Sequence, residues 1–367
     1  MRSRLQFIVF LAIVLLIIGT ANAVVWSGIT ATFLLTSPQA LALAELLAVL
    51  SLGFIGMMIL GSYYYNIFTR VVYTLLAVWM GTFAYLFFAS IVLGVIALIE
   101  PGSSIQTVGL ALYIFAALVS AYGVMHAKRI KVAKYEVTLQ NLPAEWKNKR
   151  AVFISDLHLG QVHGPKFAAK VTKAVMDLKA DLIFIGGDLY DGTGAPDAYE
   201  LAEPLAKLSA PWGVLYITGN HEEFGDSSDF LAAVRRAGIT ILMDEKADVH
   251  GVDIVGVDYH NANDVGRFSK ILSAQSLVPN KPSILLKHEP NNLAVAADAG
   301  ISLQLSGHTH YGQQWPFGLL AQLSYRGYAY GLKKVKNMQM LTSSGIGTWG
   351  PPLRVGSNSE IALITFS

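Results

Sequence analysis

The stretch Leu305-Ser-Gly-His308-Thr-His310 decides how this chain is read. It closes an apolar run, Ile301 to Leu305, that predicts a buried strand. Open α/β sheets bind their ligands at the carboxyl ends of strands, and here such an end delivers two imidazoles one residue apart. Gly307 is expected to let the backbone turn sharply enough for both rings to enter one site. Alone, a His-x-His pair is more often one exposed and one core histidine. Here it has company.

Working outward, further polar groups follow other predicted strands. Asp156-Leu-His158 comes after Ala151 to Ser155, and Gly186-Gly-Asp188-Leu-Tyr-Asp191 after Leu182 to Ile185. Gly219-Asn220-His221-Glu222 comes after Gly213 to Thr218, and His288 follows the run Ile284 to Lys287. Together with His308 and His310, five of the nine histidines fall in such groups. Another strand is expected at Asp253 to Val257, and strand-like runs return between Met338 and Phe366. Between the strands, Lys166 to Lys179, Tyr199 to Leu208 and Ser228 to Ala237 carry apolar residues at helical spacing. This alternation predicts an α/β domain.

The residue types explain a chemistry. Two divalent ions roughly 3.5–4 Å apart lower the pKa of a bridging water and clamp a phosphoryl group. A carboxylate between two cations is the natural bridge, and Asp188 is the candidate. Imidazole, carboxylate and amide oxygen without thiolate suit manganese, iron or zinc, and the chain has no cysteine.

The ordered set Asp-x-His, Gly-Asp-x-x-Asp, Gly-Asn-His-Glu, His and Gly-His-x-His resembles the calcineurin-like metallophosphoesterase superfamily. The resemblance runs from about Tyr135 to the end of the chain. It implies a four-layer α/β/β/α sandwich and a hydrolase with two divalent metal ions, manganese foremost. It also implies one metal on Asp156, His158, Asp188 and His310, and a second on Asp188, Asn220, His288 and His308. His221 would face the phosphate as general acid or charge stabiliser, and Asp191 would orient His221. The longer contexts Ser155-Asp-Leu-His-Leu-Gly160, Lys287-His-Glu-Pro290 and Ser344-Gly-Ile-Gly347 are similar to a bacterial membrane-associated branch. Some members of that branch are linked to hydrolysis of UDP-diacylglucosamine, others to lipid or general phosphodiesters. Tyr311 departs from it, standing where Gly is expected, and would reshape the mouth of the site.

Composition separates the first third from the rest. The chain is 53% hydrophobic and 14% charged, too apolar for an ordinary soluble protein. Before Lys128 the only charged residues are Arg2, Arg4, Glu45, Arg70 and Glu100. Runs near Leu5 to Trp26, Ala40 to Gly61, Val71 to Ile99 and Ile105 to Met125 are each long enough to span a bilayer, which takes about 20 residues. Ser37-Pro38, Tyr63-Tyr64-Tyr65 and Pro101-Gly102-Ser103 mark the joints. Arg2, Arg4, Arg70, Lys128, Arg129 and Lys131 place the catalytic part on the cytoplasmic side of a plasma or inner membrane. The first run also resembles a signal peptide, with Ala21-Asn22-Ala23 as its cleavage site. An uncleaved helix is favoured because the apolar pattern continues through Trp26. Glu45 is expected near the outer headgroups or against a neighbouring helix rather than in a working site.

The expected organisation is therefore a transmembrane region over 1–127, a basic juxtamembrane linker with a first strand over 128–150, and a catalytic domain over 151–367. Charges after Lys128 are nearly balanced, which excludes the basic face of a nucleic-acid binder. The oligomeric state has no signature in the sequence. The expected partners are a lipid bilayer and a phosphorylated, lipid-linked substrate, cleaved at a phosphodiester or pyrophosphate bond. Two alternatives stay open: a soluble phosphodiester with the helices as anchor only, and a membrane sensor or transporter regulated by the phosphoesterase domain. His126, His250 and His260 are expected outside the site, and His163 either lines the cleft or sits in a solvated loop. Lys287, Arg267 and Arg326 are candidates to contact a phosphate or nucleotide, with a surface role favoured for each. The segment Gln313 to Leu320 is unusually apolar for a loop beside a metal site; ordinary packing, an acyl chain and the bilayer are its three explanations.

Overall fold

The computed structural model describes residues 2–61, 63–102, 104–192, 198–223 and 226–367. Ser103 of the third joint and the side chains of Arg2 and Arg4 lie outside this description. The chain divides into two compact units, one of helices up to Met125 and one built on His126–Gly350 and Arg354–Ser367.

The helical unit contains α1 (Arg2–Phe33), α2 (Ser37–Gly61), α3 (Ile67–Ile99) and α4 (Ile105–Ala127). All four are long and apolar enough to cross a membrane, α1 over Ala12–Phe33. Each is apolar around its circumference, and large side chains such as Leu16, Leu98 and Leu118 face outward. Inside the unit α1, α2 and α3 pack a cluster of Val25, Leu47 and Phe83, and elsewhere the helices meet through small or hydroxylated residues, as helices in lipid do. Gly28 faces the Ser90–Tyr113 hydroxyl pair so closely that any Cβ there would overlap the Tyr113 oxygen. Asn66 caps α3 by accepting from the Thr69 backbone N–H while the Thr69 hydroxyl accepts from the Asn66 N–H. Glu45 is exposed on α2.

The sheet unit is a sandwich. Its first sheet contains β1 (Ile130–Val137), β2 (Arg150–Ile154), β3 (Leu182–Ile185), β4 (Val214–Tyr216) and β5 (Thr240–Ile241). The second contains β6 (Glu245–Val249), β7 (Val252–Gly256), β8 (Ser283–Leu286), β9 (Leu303–Ser306), β10 (Gly331–Val335) and β11 (Met338–Thr342). The last strand, β12 (Ser359–Phe366), returns to the first sheet between β1 and β2. Strand order is β1-β12-β2-β3-β4-β5 in one sheet and β10-β11-β9-β8-β7-β6 in the other. The central strands β2, β3 and β4, and likewise β7, β8 and β9, run parallel.

The layering follows from the period-two alternation of strand side chains. On β2, Val152 and Ile154 pack beneath the helices α5 (Pro165–Met176), α6 (Ala198–Ala202) and α7 (Ser228–Arg236). The intervening Ala151 and Phe153 face the second sheet, meeting Ile284, Leu286, Leu303 and Leu305. On the far side, Val255 and Leu285 pack against α9 (Val265–Ala274) and α10 (Leu293–Asp298), which follow the short α8 (Tyr259–Asn263). Because both faces of each parallel strand are covered, the strands read as continuous apolar runs rather than alternating ones. The result is the four-layer α/β/β/α sandwich. The helix expected over Tyr199 to Leu208 is shorter than the pattern predicts, since Pro204 converts its second half to a 3₁₀ turn over Glu203–Lys207. A last helix, α11 (Phe317–Ser324), follows β9.

Candidate metal centre

The loops leaving β2, β3, β4, β8 and β9 at their carboxyl ends converge. Asp156, His158 and His310 form one buried group of ligand atoms, and Asp188, His288 and His308 form another. A third group, His158, Asp191 and His221, shares His158 with the first. Asn220 joins the second group, its Oδ1 lying 2.8 Å from His308 Nδ1. Every site residue expected from the sequence thus lies in one cluster.

Asp188 stands between the groups. Its Oδ2 is 3.2 Å from His288 Nε2 and 3.8 Å from His158 Nε2. Its Oδ1 accepts from the His221 backbone N–H at 2.9 Å. Within each group the nitrogens face each other, His158 Nε2 and His310 Nε2 at 3.0 Å, His288 Nε2 and His308 Nδ1 at 3.3 Å. Each gap has room for one proton at most, so lone pairs and carboxylate oxygens converge on the same small volumes. That donor set fits a pair of divalent cations.

The electrostatics agree. Burial alone would lower the His288 imidazole and raise the Asp188 carboxyl, but their mutual attraction outweighs it. His288 is pushed up to about 10 and Asp188 is held far below the usual carboxylate range. Buried carboxylate here demands positive charge. Burial and the neighbouring His158 instead drive His310 down, leaving it a neutral donor.

Backbone geometry aims these side chains. Asp156, His158, Asp188, His308 and His310 all have positive φ, between 47° and 69°. Each such non-glycine residue costs on the order of 1–2 kcal/mol, and such strain gathers where a site is over-determined by its surroundings. Gly307 is not among the left-handed residues; the turn is made by the histidines themselves. Its small size serves close approach, since a Cβ would overlap the Asp156 carboxylate and the Ser155 hydroxyl. Tyr311, where the resemblance expects Gly, also sits at φ 49° and rests its ring on Tyr330 at 5.0 Å.

Supporting residues orient the ligands. His288 Nδ1 donates to the Gly186 carbonyl at 2.7 Å, which presents Nε2 to the site. The Asp191 carboxylate is 3.3 Å from His158 Nδ1 and 3.9 Å from His221 Nδ1, so it is placed to orient His158 at least as directly as His221. The His221 ring meets His158 edge-on at 4.6 Å.

Glu222 and Arg354 are buried polar residues to which the sequence pattern gives no role. Glu222 accepts from the backbone N–H groups of Asp188, Tyr190 and Gly219 at 3.0, 3.0 and 2.6 Å. Burial and the Asp188 charge push its carboxyl up to about 7. Arg354 is fully buried and donates to the carbonyls of Ser344, Gly345 and Gly347, with Nη2 3.4 Å from His310 Nδ1. Its only sequence signal is a lone arginine shortly after Ser344-Gly-Ile-Gly347. Lys287, expected at the surface, is fully buried: its Nζ donates to the Glu289 carbonyl at 2.8 Å and also bonds the Asn291 side chain. It directly follows β8, a strand covered on both faces, so its position is enclosed as well. Arg267 and Arg326 are exposed. His163 is half-buried, its Nε2 accepting from the Thr348 N–H at 3.0 Å and its ring stacked on Phe167. Burial lowers it to about 3, which keeps it neutral.

A sequence profile of the calcineurin-like phosphoesterase family matches residues 149–312. The chain is 33% identical over 242 residues to an uncharacterized metallophosphoesterase of Helicobacter pylori, covering 64% of each protein. It is 32% identical over 282 residues to a transmembrane protein with metallophosphoesterase domain of Danio rerio, covering 72% of this chain and 64% of that one. Both relatives are therefore spanned over just under two thirds of their length. An uncharacterized metallophosphoesterase of Aquifex aeolicus is 31% identical over 255 residues, covering 68% of this chain and 97% of that protein. With its layered fold, its converging histidines and carboxylates, and a relative matched almost end to end, the chain belongs to the calcineurin-like metallophosphoesterase family.

Proposed function

We propose that this protein is a membrane-anchored phosphohydrolase with two divalent cations, foremost manganese, that cleaves a phosphodiester or pyrophosphate bond. The observation that carries the reading is the Asp188 carboxylate, held between an imidazole of each ligand group at 3.2 and 3.8 Å. In this reading Asp156, His158, Asp188 and His310 hold one cation, and Asp188, Asn220, His288 and His308 the other. Cations held there supply positive charge to the phosphoryl oxygens and make water nucleophilic at neutral pH. Asp188 sets the spacing of the two groups, and Glu222 fixes the loop that carries it. Asp191 and the Gly186 carbonyl hold His158 and His288 in the orientations that turn Nε2 toward the site. His221, tied through its backbone to Asp188, would give a leaving oxygen its proton or a neutralising charge.

The substrate in this reading is lipid-linked, of UDP-diacylglucosamine type. Four bilayer-length helices in the same chain and the exposed apolar segment beyond His310 support it. Exposed Lys128, Arg129 and Lys131 after α4 support a cytoplasmic catalytic unit. The test is manganese-dependent hydrolysis by the detergent-purified chain and its His221→Ala variant, offered UDP-diacylglucosamine, a phospholipid diester and a soluble aryl phosphodiester. Preference for an acylated substrate, lost in the variant, is the expected result. Turnover of the soluble ester alone would remove the lipid-linked substrate, and no turnover with any divalent metal would overturn the phosphohydrolase reading.

A further inference from the structure

Among the described residues after Ala127, nine large apolar side chains are exposed, and six of them lie between Trp315 and Trp349. They are Trp315, Phe317, Leu319, Leu320, Leu323 and Trp349. On α11, Leu319, Leu320 and Leu323 are 65%, 59% and 78% exposed, and no residue of that helix is buried. Leu319 and Leu323 are four apart and Leu320 and Leu323 three apart, which puts all three on one face. From Tyr311 to Tyr325 there is no charged residue. A soluble surface does not keep such a stripe without a partner.

The patch is built. Gln313 ties its two segments together, donating to the Trp349 carbonyl at 3.1 Å and accepting from the Trp349 N–H at 2.9 Å. It adjoins the metal centre, since the Trp349 ring lies 6.0 Å from the His221 ring. A basic rim follows: Arg326, Lys333 and Lys334 are exposed, and Lys333 Nζ lies beside Gly327 at the end of the helix. Tryptophan and leucine on one side with Arg and Lys at the margin is the make-up of a segment lying in a bilayer interface. The occupant is indicated by the chain itself. Only Lys128 and Arg129 separate α4 from β1, so the sheet unit is covalently held at a lipid surface.

We propose that α11, flanked by Trp315 and Trp349, lies in the headgroup–acyl boundary of an anionic bilayer, with Arg326, Lys333 and Lys334 on lipid phosphates. The inference does not rest on turnover and stands apart from the proposed activity. The chain has no cysteine, so single cysteines can be introduced into the full-length protein without background. Leu320→Cys, Leu323→Cys and, as control, the exposed Val265→Cys would carry an environment-sensitive fluorophore in vesicles of phosphatidylethanolamine and phosphatidylglycerol. The expected result is quenching of the Leu320 and Leu323 labels by nitroxides on the acyl chains and shielding from aqueous iodide, with the Val265 label behaving oppositely. Labels at both leucine positions as open to iodide as the Val265 label would overturn the proposal. Shielding from iodide without quenching by lipid nitroxide would also overturn it, in favour of a second copy or another protein.

Discussion

The helical unit and the sheet unit are both rich in apolar residues and place most of them in opposite directions. In the helices Leu16 and Leu98 are 70% and 82% exposed, and a small buried cluster of Val25, Leu47 and Phe83 sits beside small or hydroxylated residues such as Ala77 and Ser90. In the sandwich, Phe153, Ile284 and Leu305 are fully buried, and polar groups are buried with them at the strand ends. The difference teaches where chemistry can be housed. A helix in lipid satisfies its backbone internally and needs few polar side chains. A parallel sheet ends in loops whose backbone must be turned and satisfied locally, and those loops bring carboxylates and imidazoles together.

The sharpest way to break this comparison is at the shared carboxylate. Asp188→Asn is expected to lower kcat/KM by on the order of 10³-fold or more, while circular dichroism and thermal unfolding report an intact fold. Full activity would mean that the strand-end cluster is not the working part. Paired truncations test the packing contrast directly. Phe153→Ala should destabilise the sheet unit by about 3–5 kcal/mol, whereas Leu118→Ala, on the outward face of α4, should stay within about 0.5 kcal/mol. Equal losses from the two would erase the distinction.

A smaller effect concerns metal. Manganese at about 100 times its dissociation constant should stabilise the sheet unit by roughly 2.7 kcal/mol and leave the helices unchanged. The check is native-state hydrogen exchange with and without chelator, and uniform protection changes in both units would contradict it. The smallest effect lies on the sandwich surface. Burial would raise the Asp181 carboxyl, but the Arg150 backbone N–H and the Lys149 ammonium outweigh it and hold it low. A depressed folded value contributes stability above the ordinary carboxyl value of 3.8 and loses it as pH falls through the folded value. Asp181→Asn should therefore cost less than about 1 kcal/mol near neutral pH, with the difference from the parent vanishing in acid. A cost that grows as pH falls would reverse the sign.

Local pattern by itself determined much of this protein. Apolar length marked four helices, short continuous apolar runs marked β2, β3, β4, β7, β8 and β9, and the ordered motifs named the residues that cluster. These signals are legible because apolar runs and helical periods are local and the ligand motifs each sit within a few residues of a strand end. What only the tertiary structure decided depends on chain segments far apart. It set β12 between β1 and β2, and it brought His158 to His310 and Asn220 to His308. The left-handed backbones of the ligands, the burial of Lys287 and Arg354, and the exposure of α11 were likewise invisible. Each of these is set by which distant surface covers a residue or leaves it open, and residue type alone does not carry that information.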